Sequence, residues 1–76
     1  MKKIRYGLIE EKHGDGRTVY GIAVLIDDFQ NGKIEMNRIG DITCNREALE
    51  ALVGDCNSLH LSPIHLNEVI EDFLLR

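Results

Sequence analysis

The spacing of apolar residues changes once along this chain, at Ile42, and that change constrains the fold more than composition does. Before Ile42, apolar residues recur at every second position, which is the spacing of a half-buried β-strand. After it they recur every three or four positions, which is typical of an amphipathic helix. The sequence therefore predicts strands followed by helices, an α+β fold.

Three segments have the pattern of strands, and we place them at residues 2–11, 17–27 and 33–42. The second is nearly continuous in apolar and β-branched residues, as expected for the central strand of a sheet. Two glycines around Asp15, and the Asn-Gly pair at 31–32, indicate a hairpin turn at each junction. We therefore expect a three-stranded antiparallel meander.

The pairing of the first two strands is predicted from the face on which large apolar residues gather. If the numbers of paired residues sum to 28, Tyr6 lies opposite Ile22 and the large apolar side chains share one face. In the third strand the alternation is lost over residues 37–39. We expect a β-bulge or the end of the strand near Gly40.

Two helices are predicted, at residues 46–57 and 63–75. Asn45 is the expected N-cap of the first, and Ser62 followed by Pro63 marks the start of the second. Each helix is too short to be stable alone in water, so both must pack on the sheet. The expected buried stripes are Leu49, Leu52, Val53 and Cys56, then Leu66, Val69, Ile70, Phe73 and Leu74.

Length and composition are those of one globular domain over residues 1–76, with 43% hydrophobic residues and one proline. We predict a two-layer βββαα domain with both helices on one face of the sheet. No apolar run is long enough to span a membrane, and two cysteines are too few for a disulfide framework. We expect a cytoplasmic protein that starts at its own initiator methionine, has no disulfide and binds no membrane.

Charge is unevenly distributed. Residues 1–46 carry eight Lys/Arg and seven Asp/Glu, whereas residues 47–76 carry one Arg and six acids. An acidic half repels phosphate backbones, so we expect no nucleic-acid binding. The acids of the second helix, Glu68, Glu71 and Asp72, suit a basic protein partner, and a merely solvated face is the alternative.

The odd-numbered residues of the central strand form an apolar face made of Val19, Gly21, Ala23 and Leu25. Two helices cover only one side of a three-stranded sheet, so we expect the other side to expose this face. We interpret it as the interface of a homodimer or of another protein partner. Coverage by loops and the C-terminal residues is the alternative.

Both cysteines and two of the three histidines lie within residues 44–65. The first helix would separate Cys44 from Cys56 by about 18 Å, too far for one metal ion or one disulfide to hold both. Cys56, His60 and His65 remain as the ligands of a metal-binding or small-molecule sensor. A core position for Cys56 is the competing interpretation.

Cys44 precedes a helix N-terminus, where the helix dipole favours the reactive thiolate. Arg46 is the nearby cation, and no histidine is adjacent in the chain to act as a base. A thiol-dependent enzyme using Cys44 is therefore our third hypothesis, with packing at the strand end as its alternative. We find no assembled catalytic or cofactor motif and expect no enzyme and no cofactor.

Three fragments resemble a known family when taken together: "YGLIEE" with "VYGIAV", "IGDITCNREALEALVGDCN" and "LSPIHLNEVIEDFL". The family consists of short uncharacterised proteins from Clostridia and related Firmicutes, a domain of unknown function. The distinctive C-terminal pattern is carried by Leu61, Pro63, His65, Leu66, Val69, Asp72 and Phe73. The resemblance implies a bacterial cytoplasmic origin and no activity, so no catalytic residues are implied.

The sequence thus predicts a small acidic module for protein interaction or regulation. We expect it to associate with itself through the odd-numbered face of the central strand.

Overall fold

The structure, a computed structural model, describes residues 3–28, 30 and 32–75. The elements are β1 (Lys3–Lys12), β2 (Thr18–Asp28), β3 (Gly32–Thr43), α1 (Arg46–Ser58), a 3₁₀ turn (Pro63–His65) and α2 (Leu66–Leu74). The strands form one antiparallel sheet in the order β1-β2-β3. Residues of α1 and α2 share a single core with the sheet, which confirms the predicted α+β fold.

The β1–β2 hairpin has a different register from the predicted one. Tyr6 pairs with Val24, so paired numbers sum to 30, and the predicted pairing of Tyr6 with Ile22 is wrong. The hairpin places Gly16, with φ 91°, where a three-residue loop needs a left-handed residue. The predicted register would put Asp15 there, at a higher steric cost. Because the error is two residues, every side chain keeps its predicted face.

The turn between β2 and β3 is described only in part. Gly32 has a positive φ of 77°, as the predicted Asn-Gly turn requires, while Phe29 and Asn31 lie outside the described residues.

β3 contains the predicted irregularity and continues beyond it to Thr43. Its register against β2 shifts twice, once between the partners of Val24 and Leu25 and once between those of Tyr20 and Ile22. Near the second shift Asp41 has a φ of 55°. The prediction of a bulge near Gly40 is therefore confirmed, and a bulged strand bends.

The core lies between the even-numbered face of β2 and the helices. It consists of Tyr6, Ile22, Val24, Ile42, Leu49, Leu52, Val53, Cys56, Leu66 and Ile70. The predicted stripe of α1 is buried throughout. In α2, Val69 and Phe73 are half-buried, but Leu74 is 56% exposed and its predicted burial is wrong.

The helix starts differ in how they are capped. The side chain of Asn45 accepts a hydrogen bond from the Ala48 N–H at 3.1 Å, as predicted for the N-cap of α1. Ser62 is the N-cap of the 3₁₀ turn with Pro63 in its first turn, as predicted, but its side chain makes no cap hydrogen bond. Instead the Ser62 carbonyl accepts from the His65 N–H at 3.0 Å, which forms the 3₁₀ turn ahead of α2.

The odd-numbered face of β2 is mostly buried within the chain itself. Val19 and Ala23 are 2% and 4% exposed, and Gly21 is also buried. Leu25 is the half-buried member of the four. The expectation that this face is exposed is therefore wrong at three of its four residues.

The cause is the path of β3. A Cβ on Gly21 would meet the carbonyl oxygen of Ile39 and would lie 2.8 Å from the Cα of Gly40. Glu11 closes over the same place, since a Cβ on Gly40 would meet its carboxylate. The bend of β3 brings its own backbone across the face that the helices leave free.

Within the described part of the chain, no helix is both long and apolar enough to cross a membrane.

Candidate functional site: the surface around the interhelical turn

The two cysteines are free and lie in different surroundings. Cys44 is exposed just before α1, and Cys56 is buried in the core. Burial, followed by the nearby Asp55 carboxylate, raises the pKa of the Cys56 thiol. Cys56 therefore takes the core position that we weighed against metal binding.

The structure does not bring the predicted sensor residues together. His60 and His65 are both exposed, whereas Cys56 is not. The nearest acid to His65 is Glu68, with 3.6 Å between Nδ1 and Oε2. No three His, Cys, Asp or Glu side chains among the described residues could hold a metal ion. As the ligands of a metal ion, Cys56, His60 and His65 are therefore a wrong grouping.

The edge of β1 is tied to the end of α1 by one asparagine. The Tyr6 N–H donates to Oδ1 of Asn57 at 2.8 Å, and Nδ2 of Asn57 donates to the Tyr6 carbonyl at 2.9 Å. These are the two bonds that a residue of a neighbouring strand would make. The amide of Asn57 therefore protects this edge position and fixes α1 against β1.

Tyr6 adds a third bond to the same junction. Its hydroxyl donates to the Leu61 carbonyl at 2.7 Å, and burial raises the pKa of the phenol. The chain after α1 is thus held to the start of β1. We did not predict either tie from the sequence, because a single Asn or Tyr carries no periodic signal.

α1 ends in a turn whose left-handed residue is His60, with φ 52°. The Leu61 N–H donates to the Cys56 carbonyl at 3.0 Å and the His60 N–H to the Asn57 carbonyl at 3.3 Å. This is the Schellman pattern, in which glycine is the usual left-handed residue. A histidine there carries a steric cost and projects a side chain from the turn.

Large apolar side chains are exposed around this turn. Leu59 and Ile64 are 77% and 80% exposed, and Ile4 at the start of β1 is 42% exposed. Ile4 pairs with Ile26, which pairs with Ile34, so an apolar row continues across the sheet from the turn. We call Ile4, Leu59, Ile64 and the residues that line two hollows at the turn, which are Lys3, Arg5, 57–58 and 60–63, the turn-end surface.

Two shallow hollows shape the turn-end surface, and Lys3, Ile4 and His60 line both. One, of about 290 Å³, is completed by Arg5, Asn57 and Ser58. The other, of about 340 Å³, is completed by Leu61, Ser62 and Pro63. Both are open and lack paired acids or an activated nucleophile among their lining residues, so they suit docking better than chemistry.

A further hollow of about 390 Å³ lies between the helices, lined by Ala48, Ala51, Leu52, Asp55 and Phe73. Asp55 is the titratable group among these residues. One carboxylate beside small apolar residues does not make a catalytic pair.

The chain belongs to a family of unknown function (DUF6514), whose model matches residues 1–76. This confirms the resemblance to a domain of unknown function over the whole chain, while the bacterial origin stays a prediction. No curated protein and no solved structure matches the chain.

Proposed function

We propose that this chain is a protein-interaction module that binds through the turn-end surface. The observation that carries the proposal is the exposure of Leu59 and Ile64, 77% and 80%, at either side of residues 60–63, which line hollows together with Ile4. Exposed apolar residues that lie together, with polar groups at their rim, are typical of protein-binding surfaces. The proposal therefore replaces the interface that we expected on the odd-numbered face of β2 with the turn-end surface, which follows the C-terminal end of α1.

The proposal includes no catalytic role. The exposed Cys44 has no histidine beside it in the sequence, and Cys56 is in the core. Two free thiols suit a reducing, cytoplasmic compartment. The acidic second half of the chain argues against nucleic acid as a partner.

Retention of proteins from the native lysate tests this function. We expect the tagged wild type to retain a protein in stoichiometric amount, whether another protein or the untagged chain. A double variant, Leu59→Ser with Ile64→Ser, should lose it, because the apolar contact area is removed. The matched control is Leu75→Ser, which removes an apolar side chain that is 86% exposed near the end of α2.

The function would be contradicted if the wild type retained nothing, or if the double variant retained the same protein in the same amount. Circular dichroism checks that both variants stay folded, as expected for substitutions at exposed positions.

A further inference from the structure

We propose that the partner of the turn-end surface is a basic amphipathic helix that also lies in the hollow between α1 and α2. The inference rests on the proposed function and names the partner. We call this hollow, of about 390 Å³, the interhelical groove, and it is lined by Ala48, Ala51, Leu52, Asp55 and Phe73. The inference is based on the position of the groove beside Leu59 and on the acidity of the two helices.

The interhelical groove adjoins the turn-end surface at Leu59. The Leu59 N–H donates to the Asp55 carbonyl at 2.9 Å, so the α-helical spacing continues as far as Leu59. Residues four apart on a helix are neighbours on one face, which places the exposed Leu59 side chain next to that of Asp55. From residue 48 to residue 59 the rise along α1 is about 16 Å, or about three turns of a partner helix.

The groove favours a helix over an extended segment. Its floor is apolar, since Leu52 is 8% exposed and Ala48 and Phe73 are half-buried. The backbone of α1 is hydrogen-bonded within the helix, so a strand laid across it would find no main-chain partners there. A helix needs none, because its own backbone groups are already paired. The small side chains of Ala48 and Ala51 let it approach α1 closely.

The charge of the helices favours a basic partner. Residues 47–75 contain six acids and no lysine or arginine. Asp55 lines the groove, and Glu47 lies one turn before Ala51 on the same helix. Neither carboxylate forms an ion pair with another described residue. Cations beside the apolar stripe of a partner helix would pair with these two acids.

A second copy of this chain does not offer such a helix. α2 contains three acids and no lysine or arginine, and the one arginine of α1, Arg46, is already paired with Glu50 at 2.7 Å. Packing the helices of one copy on those of another would bring carboxylates to carboxylates, which opposes association. The charges therefore suit a different protein.

Titration of labelled peptides, followed by fluorescence anisotropy at physiological salt, tests the chemistry of the partner. The probe is a peptide of about 18 residues, long enough to form a helix alone, with leucines on one helical face and lysines elsewhere. We expect it to bind the wild type. The same peptide with glutamate in place of lysine should not bind. A lysine peptide with two central prolines should not bind either, because it cannot form the helix.

Two single variants test the groove. Ala51→Gln fills it without a change of charge and Asp55→Lys reverses its charge, so each should raise the dissociation constant of the lysine peptide by roughly tenfold or more. Both positions are exposed, so these variants should stay folded.

Two further variants are matched controls and should leave the dissociation constant unchanged. Gly54→Gln controls for size, because Gly54 lies on α1 but does not line the groove. Glu35→Lys controls for charge, because Glu35 pairs with Leu25 on the face of the sheet away from the helices.

The inference is overturned if the lysine peptide does not bind, or if it binds Ala51→Gln or Asp55→Lys as tightly as the wild type. Equal binding of the glutamate or proline peptide also overturns it. If the protein retained from the lysate depends on Leu59 and Ile64 but not on Ala51 and Asp55, the inference is wrong and the proposed function stands. If the wild type retains nothing, the proposed function is wrong, and the peptide titration still decides whether the groove binds a basic helix.

Discussion

His60 occupies the left-handed position at the end of α1, where most helices of this type have glycine. A side chain in that conformation costs roughly 1–2 kcal/mol. The same side chain lines both hollows of the turn-end surface. Strain of this kind is common at binding sites, so a stability cost at His60 agrees with a binding role.

We therefore predict that His60→Gly stabilises the fold and weakens binding at the turn-end surface. The free energy of unfolding should rise by about 1 kcal/mol because the left-handed strain is relieved. Urea unfolding measures the first effect, and the amount of protein retained from the lysate measures the second. His60→Ala is the control: it keeps the strain and should give no such gain in stability. A glycine variant no more stable than the alanine variant would contradict the strain at His60.

Gly54 shows the opposite case, a glycine that the structure does not require. It lies inside α1, and a Cβ there would meet nothing within 4 Å. Gly54→Ala should therefore stabilise the protein by about 1 kcal/mol, because alanine loses less backbone freedom in a helix. For a domain of this size the melting temperature should rise by roughly 4–8 °C. An unchanged or lower melting temperature would show that Gly54 has a packing role that the structure does not contain.

Among the elements, the strands show which parts of the fold could be read from the sequence. Alternation and turn residues identified all three strands and the face of each side chain in β1 and β2, but the register of that pair was two residues off. The register depends on whether Asp15 or Gly16 takes the left-handed position of the loop. The alternation of apolar residues is the same in the two registers, so it cannot distinguish them. We did not predict the burial of the odd-numbered face of β2, because no local sequence pattern indicates how far β3 bends across Gly21.

Gly21 is therefore a required glycine. In Gly21→Ala the new methyl group would meet backbone atoms of Ile39 and Gly40, which cannot rotate away as a side chain could. We expect a loss of roughly 1–3 kcal/mol in the free energy of unfolding, as for other overpacked sites. Gly7→Ala is the matched control on β1, because its Cβ would lie 3.5 Å from Cδ1 of Leu25, an ordinary contact. Equal stability of the two variants in urea would contradict the close approach of β3.

At the scale of the whole molecule, the site is assembled from segments far apart in the chain. Tyr6 and Leu61, 55 residues apart, are joined by a hydrogen bond that brings the start of β1 to the interhelical turn. The acids of α2 could be predicted from charge patterning alone. The hollows of the turn-end surface could not, because nothing in the sequence places Lys3 and Ile4 next to residues 57–63.

Two buried groups in the core give the molecule a predicted pH dependence. Burial raises the pKa of the Cys56 thiol and of the Tyr6 phenol above the ordinary values of 9.0 and 10.0. The unfolded chain therefore loses these protons at lower pH than the folded one, so stability should fall as pH rises above about 9. Urea unfolding from pH 7 to pH 10 measures the slope.

Cys56→Ala should reduce the decrease in the free energy of unfolding between pH 7 and pH 10. Cys44→Ala, which removes the exposed thiol, should leave that decrease unchanged. If the free energy of unfolding had the same slope against pH in Cys56→Ala and in the wild type, the burial of an unionised Cys56 would be contradicted.

The central claim is that this chain binds through the turn-end surface and not through the sheet. Amide chemical shifts of the labelled protein, recorded as the retained protein (another protein or unlabelled copies of the chain) is added, test it most directly because every backbone position reports separately. We predict shifts that change on this addition at Ile4, Leu59, His60 and Ile64 and stay constant around Leu25. Changes centred on Leu25 and Ile9, or no change at any position, would contradict the account.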